Sequence, residues 1–580
     1  MKLCDDCSAW QWLDAYRGKR FSGEWPTLVE LFEINVERYA DSDCYIAMTP
    51  TYECFSFRQA EEKIKGFANY LLKKGVKHGD KIALTGKNSP EWAIAYYGAL
   101  FAGAVIVPLD FLLHDNDMEK LISFADAKIL CVDKERIDTI DKDGKLGLDK
   151  ISLEPGDASH PFILDCQVEE EQPRTLPTEN ETAAILFTSG TTGTPKGVVL
   201  SHKNFVADCF IAQSQMHIFH SDVFYAILPI HHAYTLLAVF IESMSVGASC
   251  VFGKRLVISQ VLKELREAKV TMFLGVPMLF NKMIAGLMRG VRKKGIIAYG
   301  AVRSLMALSG FIKKVTGKNP GKKWFGFLLK NLSLENNRIC ISGGGPLPKS
   351  TFRMFNELGI DFVQGYGLTE TSPITHLNPI YHFVLTSVGR SFPLEEVKIV
   401  DPDSDGNGLI YIKGPNVMQG YYKNPEATSE VLRDGWLNTG DVGHQDADKF
   451  LYLTGRAKNV IVTEGGKNVF PEEIEDKFQL YDEIGMLCVL GYVVDKEMKS
   501  EGIRILIYPA EKWADEARKA HPSESKEFIQ KRMEAIVEEV NKNLQPYKKI
   551  TRVTVIDEPL PTTSTQKVKR FLVAQKYKED

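Results

Sequence analysis

Over the first three quarters of the chain, segments with the apolar spacing of a helix alternate with short apolar runs of strand length. Stretches such as EKIKGFANYLLKKG and SPEWAIAYYGALFAG have helical spacing, and short apolar runs such as DKIALTG lie between them. Helices that alternate with short strands predict an α/β fold with partly parallel sheets.

The pattern changes near residue 452 and predicts a compact α+β unit of about 120 residues. A helix is predicted to begin at Pro471, because proline suits the first helical position and two acids follow it. Strands are predicted at residues 486–490 and 503–508. A last helix is predicted from apolar residues that share one face, namely Met533, Ile536, Val537, Val540 and Leu544.

Composition is that of a soluble globular protein with more than one domain. The chain has 580 residues, of which 44% are hydrophobic and 25% charged. The net charge of −4, from 71 basic and 75 acidic residues, gives no indication of nucleic-acid binding. The longest uncharged run, residues 92–109, is broken by Gly98, Gly103 and Pro108. It predicts a helix followed by a buried strand rather than a membrane span.

The N-terminus is acidic and lacks the apolar segment of a signal peptide, so we expect a cytoplasmic protein. Ten scattered cysteines suit reduced thiols. Cys4 and Cys7 could begin a zinc site that Cys44 and Cys54 complete, but no second closely spaced pair supports it.

The segment LFTSGTTGTPKG, residues 186–197, has the composition of a phosphate-binding loop. Glycines allow close approach of backbone N–H groups, hydroxyls add donors and a lysine adds charge. It is not a Walker loop, because Pro195 and Gly197 stand where that motif needs Gly and Ser/Thr. A strand precedes it, and GVVLSH predicts a second strand with Ser201 as the cap of the next helix. The candidate phosphate ligands are Thr188, Ser189, Gly190, Thr191, Thr192, Gly193 and Lys196.

Five segments occur in order: LFTSGTTGTPKG, QGYGLTETSP, LNTGDVG, YLTGRAKNVIVTEGGKNVFPEEIE and LPTTSTQKVKRF. Together they resemble the adenylate-forming (ANL) superfamily, which includes acyl-CoA synthetases, peptide-synthetase adenylation domains and luciferases. The resemblance covers roughly residues 25–575. It implies that ATP and a carboxylate give an acyl-adenylate and pyrophosphate, after which CoA displaces AMP, with Mg²⁺ as cofactor.

The resemblance also implies an architecture. Residues 1–457 would form a large N-terminal domain of two α/β subdomains and a β-barrel-like lobe. Residues 458–580 would form a small, mobile α+β domain that rotates about a hinge at Lys458 between the two half-reactions.

Roles within GYGLTE and NTGDVG follow from the resemblance. Tyr366 and Gly367 would contact adenine, the Thr369 hydroxyl would reach the α-phosphate, and Glu370 would ligate Mg²⁺. Asp441 would accept hydrogen bonds from the ribose hydroxyls, although an Asp beside Gly is also common in simple turns.

The C-terminal motifs supply the remaining groups. Arg456 resembles the arginine that contacts ribose or phosphate, and Gly465 and Gly466 resemble the glycines of the CoA channel. Lys567 resembles the lysine that bridges the carboxylate and the α-phosphate. The family usually has glycine before this lysine, whereas this chain has Gln566, and two further basic residues follow at Lys569 and Arg570.

The acyl site is indicated by LPIHHAYTL and ISGGGPLP. His232, with Tyr234 nearby, matches the family motif that borders the acyl group. Gly344 and Gly345 match the wall between adenine and acyl chain, where glycine leaves room for a slim alkyl chain.

Residues 289–338 form a basic segment with twelve Lys/Arg and one acid, interrupted by apolar runs. Such an insertion resembles that of long-chain fatty acyl-CoA synthetases. Its composition suits a peripheral contact with the inner face of a membrane, or a helical pair packed on the body with a solvated basic rim.

The sequence thus predicts an AMP-forming long-chain fatty acid–CoA ligase. The alternatives are a ligase of shorter or aryl acids, an acyl-AMP ligase, a kinase that releases ADP, or a membrane-bound nucleotide-sensing pseudoenzyme.

Overall fold

The computed structural model describes residues 10–188, 195–463, 467–495, 500–563 and 567–578. The α-helices are α1 (Gln11–Asp14), α2 (Leu28–Tyr39), α3 (Phe57–Lys73), α4 (Pro90–Phe101), α5 (Asp115–Phe124), α6 (Lys134–Ile137), α7 (His202–Gln215), α8 (Ala233–Thr235), α9 (Glu242–Val246), α10 (Ile258–Glu267), α11 (Pro277–Arg292), α12 (Ile296–Thr316), α13 (Gly321–Trp324), α14 (Gly326–Asn331), α15 (Lys349–Glu357), α16 (Pro425–Val431), α17 (Pro471–Glu475), α18 (Glu511–Ala520), α19 (Ser525–Asn541) and α20 (Arg570–Lys576).

The β-strands are β1 (Asp43–Ala47), β2 (Glu53–Ser56), β3 (Lys81–Thr85), β4 (Val105–Pro108), β5 (Ile129–Val132), β6 (Asp149–Ser152), β7 (Thr182–Thr188), β8 (Lys196–Ser201), β9 (Val223–Ala226), β10 (Ser249–Phe252), β11 (Met272–Gly275), β12 (Ile339–Ser342), β13 (Asp361–Gly367), β14 (Ile374–Leu377), β15 (Gly389–Ser391), β16 (Glu396–Val400), β17 (Gly408–Lys413), β18 (Gly420–Tyr421), β19 (Leu432–Arg433), β20 (Trp436–Gln445), β21 (Phe450–Arg456), β22 (Ile461–Val462), β23 (Asn468–Val469), β24 (Ile484–Asp495), β25 (Ser500–Pro509) and β26 (Arg552–Val555).

The first α/β lobe is built on a seven-stranded sheet in the order β18-β8-β7-β4-β3-β5-β6. Strands β3 to β7 run parallel, and β8 returns antiparallel to β7. Helix α4 is buried along its whole length and is followed by the buried strand β4. The apolar run at 92–109 is therefore a core helix and strand, as predicted.

The second lobe and the barrel-like lobe share one continuous sheet. In this sheet β1 and β9 to β13 pair in parallel, and β2 lies antiparallel at the edge. The pairs that the sheet forms from β13 to β21 beyond this point are antiparallel. The predicted α/β class with a barrel-like third lobe is confirmed, and strand β13 joins the two kinds of pairing.

Strand β13 changes partner along its length. Its first half, from Asp361 to Gln364, pairs in parallel with β12, and its second half pairs antiparallel with β14, where Tyr366 faces His376. Ligand sites of α/β proteins form where the strand order switches. The motif that follows β13 therefore emerges at such a point.

The candidate phosphate loop joins an antiparallel pair, as predicted. Thr188 at the end of β7 lies opposite Lys196 at the start of β8. Ser201 caps α7, because its Oγ accepts a hydrogen bond from the Asn204 N–H at 3.1 Å and the Asn204 side chain accepts one from the Ser201 N–H.

The C-terminal unit has its own hydrophobic core, formed by β22 to β26 with α18 and α19. Strands β24 and β25 include the predicted segments. The helix predicted from Pro471 is short, since α17 ends at Glu475 and a 3₁₀ turn follows to Phe478. Helix α19 ends at Asn541, before Leu544, because the Asn541 amide bonds the backbone of Ile550.

A buried asparagine holds the lobes together beside the β13 motif. Asn416 is fully buried, and its Nδ2 lies within hydrogen-bond distance of oxygens of Asp208, Thr371, Ile374 and Glu395, at 2.8 to 3.0 Å. Burial raises the pKa of both Asp208 and Glu395. This amide, with two N–H donors, thus lies at the meeting point of helix α7, the turn after β13 and the barrel-like lobe.

We expect Asn416→Ala to lower the free energy of unfolding by about 2 kcal/mol, because it leaves buried oxygens without a donor. The midpoint of urea denaturation, followed by circular dichroism, measures the change. The control is Asn543→Ala. The Asn543 side chain is exposed and donates one 3.4 Å hydrogen bond, to the backbone carbonyl of Glu539. An equal shift in both variants would contradict the assignment.

Candidate active site

A tyrosine, a carboxylate and a guanidinium form the centre of the site. Asp441 and Arg456 face each other across β20 and β21, with Arg456 Nε 2.7 Å from Asp441 Oδ1. The Tyr366 hydroxyl donates to Asp441 Oδ2 at 2.6 Å. Burial raises the pKa of Asp441, and the charge of Arg456 opposes the rise. The predicted adenine and ribose groups are therefore adjacent.

The turn after β13 presents Glu370 toward the phosphate loop. Thr369 opens a 3₁₀ turn, and Glu370 Oε1 accepts a hydrogen bond from the Tyr421 hydroxyl at 2.9 Å. The Lys196 ammonium lies 4.7 Å from the centre of the Tyr421 ring. Tyr421 therefore links the lysine of one motif to the carboxylate of another.

Gly367 has a steric role in addition to its predicted position at adenine. A Cβ added at this residue would lie 1.6 Å from the carbonyl oxygen of Pro373. Because real Cβ atoms do not come that close, only glycine allows β13 to run directly into the turn that carries Glu370.

Lys567 reaches the N-terminal site from the small domain. Its positive charge interacts with Asp441 and Arg456 and contributes to the lowered pKa of His232. Burial and the neighbouring charge of Arg456 lower the pKa of Lys567, and Asp441 opposes them. Its side chain keeps contact with solvent, as expected in an open cleft.

The neighbouring basic residues have other partners. Arg570 forms two 2.8 Å contacts with the carboxylate of Glu475 inside the small domain. On helix α5 of the first lobe, the hydrogen bond from Lys120 at 2.9 Å lowers the pKa of Asp117, and the charge of Lys569 adds the smallest contribution. Of the three basic residues, Lys567 alone interacts with Asp441 and Arg456.

Positive groups converge on the cleft. Lys458 lies in the 3₁₀ turn Ala457–Asn459 between the domains, and burial together with the charges of Lys196 and Arg456 lowers its pKa. Lys567 adds a fourth cation. Such a field favours a polyanion such as a triphosphate.

The predicted acyl side lies next to Lys567. The rings of His231 and His232 are 4.3 Å apart, and burial lowers the pKa of both. A neutral His232 suits an apolar substrate better than an imidazolium would. Tyr234 is fixed by its hydroxyl, which donates to the Ile341 carbonyl at 3.1 Å.

The glycine loop after β12 leaves open space. A Cβ on Gly344, whose φ is +80°, would be 3.8 Å from Val276, and one on Gly345 would be 3.8 Å from Pro277. At Gly343, in contrast, a Cβ would meet the Tyr234 ring at 2.9 Å. Tyr234 thus packs on Gly343 and leaves the space beside Gly344 and Gly345 free.

Several predicted ligands lie outside the described residues, and their roles stay predictions. They are Ser189, Gly190, Thr191, Thr192 and Gly193 of the phosphate loop, Gly465 and Gly466 of the predicted CoA channel, and Cys4 and Cys7 of the alternative zinc site. Cys44 is a buried core thiol whose Sγ lies 3.5 Å from Met244 Sδ.

The donor set fits a magnesium ion. Mg²⁺ is commonly held by one or two carboxylates together with substrate phosphates and water. Glu370 supplies one carboxylate, whose Oε1 accepts the hydrogen bond from the Tyr421 hydroxyl. The negative charge of Glu370 also helps to raise the pKa of Arg456 and opposes the lowering of the pKa of Lys458. Glu370 therefore lies near the cations of the cleft.

Two contributors escaped the sequence analysis. Tyr421 pairs through β18 with β8 and contacts Glu370, which is 51 positions away in the chain. The Thr439 hydroxyl accepts from the Asp441 N–H at 3.1 Å, and the Thr439 carbonyl accepts from Arg456 at 3.3 Å. Thr439 could have been found, since it lies in the NTGDVG motif, whereas Tyr421 had no local signal.

Comparison with protein families decides the assignment. Residues 32–422 match the model of the AMP-binding enzyme, and residues 458–580 match that of the AMP-binding enzyme C-terminal domain. The chain belongs to the AMP-binding enzyme family. The resemblance to adenylate-forming enzymes is thereby confirmed.

Curated relatives within the AMP-binding enzyme family differ in substrate. A chloroplastic long-chain-fatty-acid–[acyl-carrier-protein] ligase of Arabidopsis thaliana is 27% identical, over 96% of this chain and 86% of its own length. A long-chain-fatty-acid–CoA ligase of Bacillus subtilis is 26% identical over 88% of each chain. A feruloyl-CoA synthase of Amycolatopsis is 26% identical over 75% of this chain and 80% of its own.

Solved structures support the fold of the family. An anthranilate CoA ligase in complex with anthranoyl-AMP superposes with a TM-score of 0.75, at 21% identity, over 96% of this chain and 98% of its own. Together with family membership, these relatives make the chain an adenylate-forming CoA ligase of acyl or aryl acids.

We expect Tyr421→Phe to weaken binding of the Mg²⁺ complex of ATP about tenfold, because Glu370 loses a charge-assisted hydrogen bond. Isothermal titration calorimetry measures the change. Tyr422→Phe is the matched control, since the Tyr422 hydroxyl bonds Asp126 on the surface at 3.1 Å. Equal affinities of the two variants would refute the role of Tyr421.

Proposed function

We propose that the protein is an AMP-forming long-chain fatty acid–CoA ligase. It uses ATP to convert a fatty acid to an acyl-adenylate and pyrophosphate, and then transfers the acyl group to the thiol of CoA with release of AMP. The observation that carries the proposal is that the charge of Lys567, on the small domain, acts on His232, Asp441 and Arg456 of the large domain.

The first half-reaction follows from the charges in the cleft. The carboxylate oxygen of the fatty acid attacks the α-phosphorus, and the bond to the bridging oxygen of pyrophosphate breaks. Negative charge from two anions accumulates at this point, and the ammonium of Lys567 stabilises it. Lys196 and Lys458 would supply positive partners for the departing β- and γ-phosphates.

The other groups orient the nucleotide. Tyr366 offers a ring face for adenine, and Asp441, held by Arg456, offers acceptors to the ribose hydroxyls. Glu370 would hold Mg²⁺, with the Thr369 hydroxyl near the α-phosphate. When bound, the ion neutralises phosphate charge and so assists pyrophosphate departure.

The second half-reaction needs a different arrangement of the small domain. The CoA thiol attacks the acyl carbon, and AMP leaves as its phosphate bond to that carbon breaks. Rotation about Lys458 would withdraw Lys567 and bring Gly465 and Gly466 to the cleft, where they would line the pantetheine channel.

A long, slim acid is the substrate class we favour. The open space beside Gly344 and Gly345 accommodates an alkyl chain, and several relatives are named for long-chain fatty acids. The feruloyl-CoA synthase at similar identity makes an aryl acid the competing substrate.

The cytoplasm is the location that we propose. The eight cysteines within the described residues are free thiols, seven of them buried, which suits a reducing compartment.

Product analysis tests the proposal. Purified protein is incubated with ATP, Mg²⁺, CoA and, in separate reactions, hexanoate, decanoate, palmitate, oleate or ferulate. We expect AMP and palmitoyl- or oleoyl-CoA as main products. Release of ADP would indicate a kinase, adenylate without thioester an acyl-AMP ligase, and no turnover a nucleotide-sensing protein. Preference for ferulate would replace the long-chain assignment with an aryl one.

Lys567→Ala separates the half-reactions. We expect ATP–pyrophosphate exchange to fall about 100-fold or more, because one preorganised charge is lost at the reacting phosphate. Thioester formation from supplied acyl-adenylate should be largely retained.

Lys569→Ala is the control for this variant and should retain both half-reactions, because the charge of Lys567, and not that of Lys569, acts on Asp441 and Arg456. Equal loss of both half-reactions in Lys567→Ala would refute the division of labour.

A further inference from the structure

Helix α12, Ile296–Thr316, is long and apolar but lies largely outside the core. It is the one helix in the described parts of the chain that has the length and composition to cross a membrane, and 17% of its most apolar window is buried. A core helix of this composition would be mostly buried. Its apolar surface therefore has another partner.

The side of α12 that faces the protein contains the buried residues Met306, Ser309 and Lys313. The buried ammonium of Lys313 donates to Asn356 at 2.7 Å and lies 2.8 Å from Asp361. Arg303 lies 3.6 Å from Glu357, which packs against Gly310. Surface helices of globular proteins normally turn their charges to water and their apolar face to the core. Helix α12 departs from this arrangement, because Met306 is its one fully apolar buried residue, Lys313 is buried, and larger apolar side chains are exposed.

The outward face is a continuous apolar stripe. Two members lie at the start of the helix, the other four recur every three or four residues from Leu305 to Val315, and their exposed fractions run from 44% to 86%. The adjoining segment adds Trp324 and Phe327, which are also exposed. A patch of this kind marks an interaction surface. The stripe consists of Ile296, Ile297, Leu305, Leu308, Phe311 and Val315.

Exposed basic residues border both ends of the stripe. Arg292, Lys293 and Lys294 precede α12, and Lys314 and Lys318 lie at its end. The whole segment 289–338 has twelve basic residues and one acid. An apolar stripe between cationic ends matches the arrangement of an anionic membrane surface, in which acyl chains lie beneath negative headgroups.

We infer that α12 is a membrane-docking helix, which lies in the headgroup layer of an anionic bilayer with its apolar stripe toward the acyl chains. A transmembrane orientation would break the contacts of Lys313 and Arg303 with the body. A second copy of the chain would bring two cationic rims together, which Coulomb repulsion disfavours. An anionic lipid surface offers acyl chains to the apolar stripe and negative headgroups to the basic residues at its ends.

The docking surface is connected to the acyl side of the active site. Helix α11 begins at Pro277, next to the open space at Gly345, and ends at Arg292 in the basic rim, about 24 Å away. If the proposed fatty acid substrate is correct, the surface holds the site close to the phase in which that substrate dissolves.

Flotation of the full chain with vesicles tests the inference without turnover, so its outcome does not depend on the proposed activity. We expect flotation with phosphatidylcholine–phosphatidylglycerol vesicles, little with phosphatidylcholine alone, and release at about 0.5 M NaCl or by alkaline carbonate. Equal binding to both vesicles, or retention after carbonate, would overturn an interfacial, charge-dependent contact.

Two pairs of variants locate the surface. Leu308→Ser with Phe311→Ser should weaken vesicle binding at least about tenfold, whereas Tyr52→Ser with Leu176→Ser, exposed apolar residues elsewhere, should not. Lys314→Glu with Lys318→Glu should abolish the preference for phosphatidylglycerol. Lys128→Glu with Lys142→Glu, at exposed positions of the first lobe, should leave it intact.

Light scattering of the protein without vesicles tests whether a second copy of the chain covers the apolar stripe. We expect the same mass for wild type and the Leu308/Phe311 variant, since both side chains are solvent-exposed and their loss should not affect folding. If the wild type is a dimer and this variant is a monomer, a second copy rather than a membrane covers the stripe. If the variant floats with vesicles as well as the wild type does, the membrane assignment is also overturned.

Discussion

The partner switch of strand β13 is the constraint from which the rest of the molecule follows. Its first half completes a parallel sheet, and its second half begins an antiparallel one. The strand therefore ends where two lobes meet, and Tyr366 and Glu370 emerge there. Gly367 permits the tight run into the turn, because any side chain would collide with the Pro373 carbonyl. At the other end of the strand, Asp361 accepts the buried charge of Lys313 and fixes helix α12 on the body.

Electrostatics explains why a second domain is needed. The N-terminal lobes supply Lys196 and Arg456, but Arg456 is committed to Asp441. Lys567 belongs to the C-terminal unit, which has its own hydrophobic core. This unit can therefore move away from the cleft without the unfolding of either domain. A charge fixed permanently beside the α-phosphate would stabilise the adenylate as well as the transition state that forms it. A movable charge avoids that cost in the second half-reaction.

The binding energy of the α12 surface and that of the active-site cleft have different physical origins. The cleft selects its ligand by paired charges and hydrogen bonds with defined geometry. Helix α12 presents apolar area with exposed cations at its two ends, and these contacts have no directional requirement and suit a fluid partner. The helix can expose this face only because its polar residues are satisfied by Asn356, Asp361 and Glu357 on the body.

The sequence alone determined the fold class, the hairpin around the phosphate loop, the cap at Ser201 and the motif residues, because each depends on neighbours within a few positions. It could not choose among Lys567, Lys569 and Arg570, which are equally basic and adjacent. That choice depended on the tertiary structure, in which Glu475 binds Arg570 and the charge of Lys567 acts on Asp441 and Arg456. Tyr421 was likewise invisible, since its role depends on β18 pairing with β8. The direction of α12 was open for the same reason: periodicity separates two faces of a helix, but only the position of Asp361 decides which face turns inward.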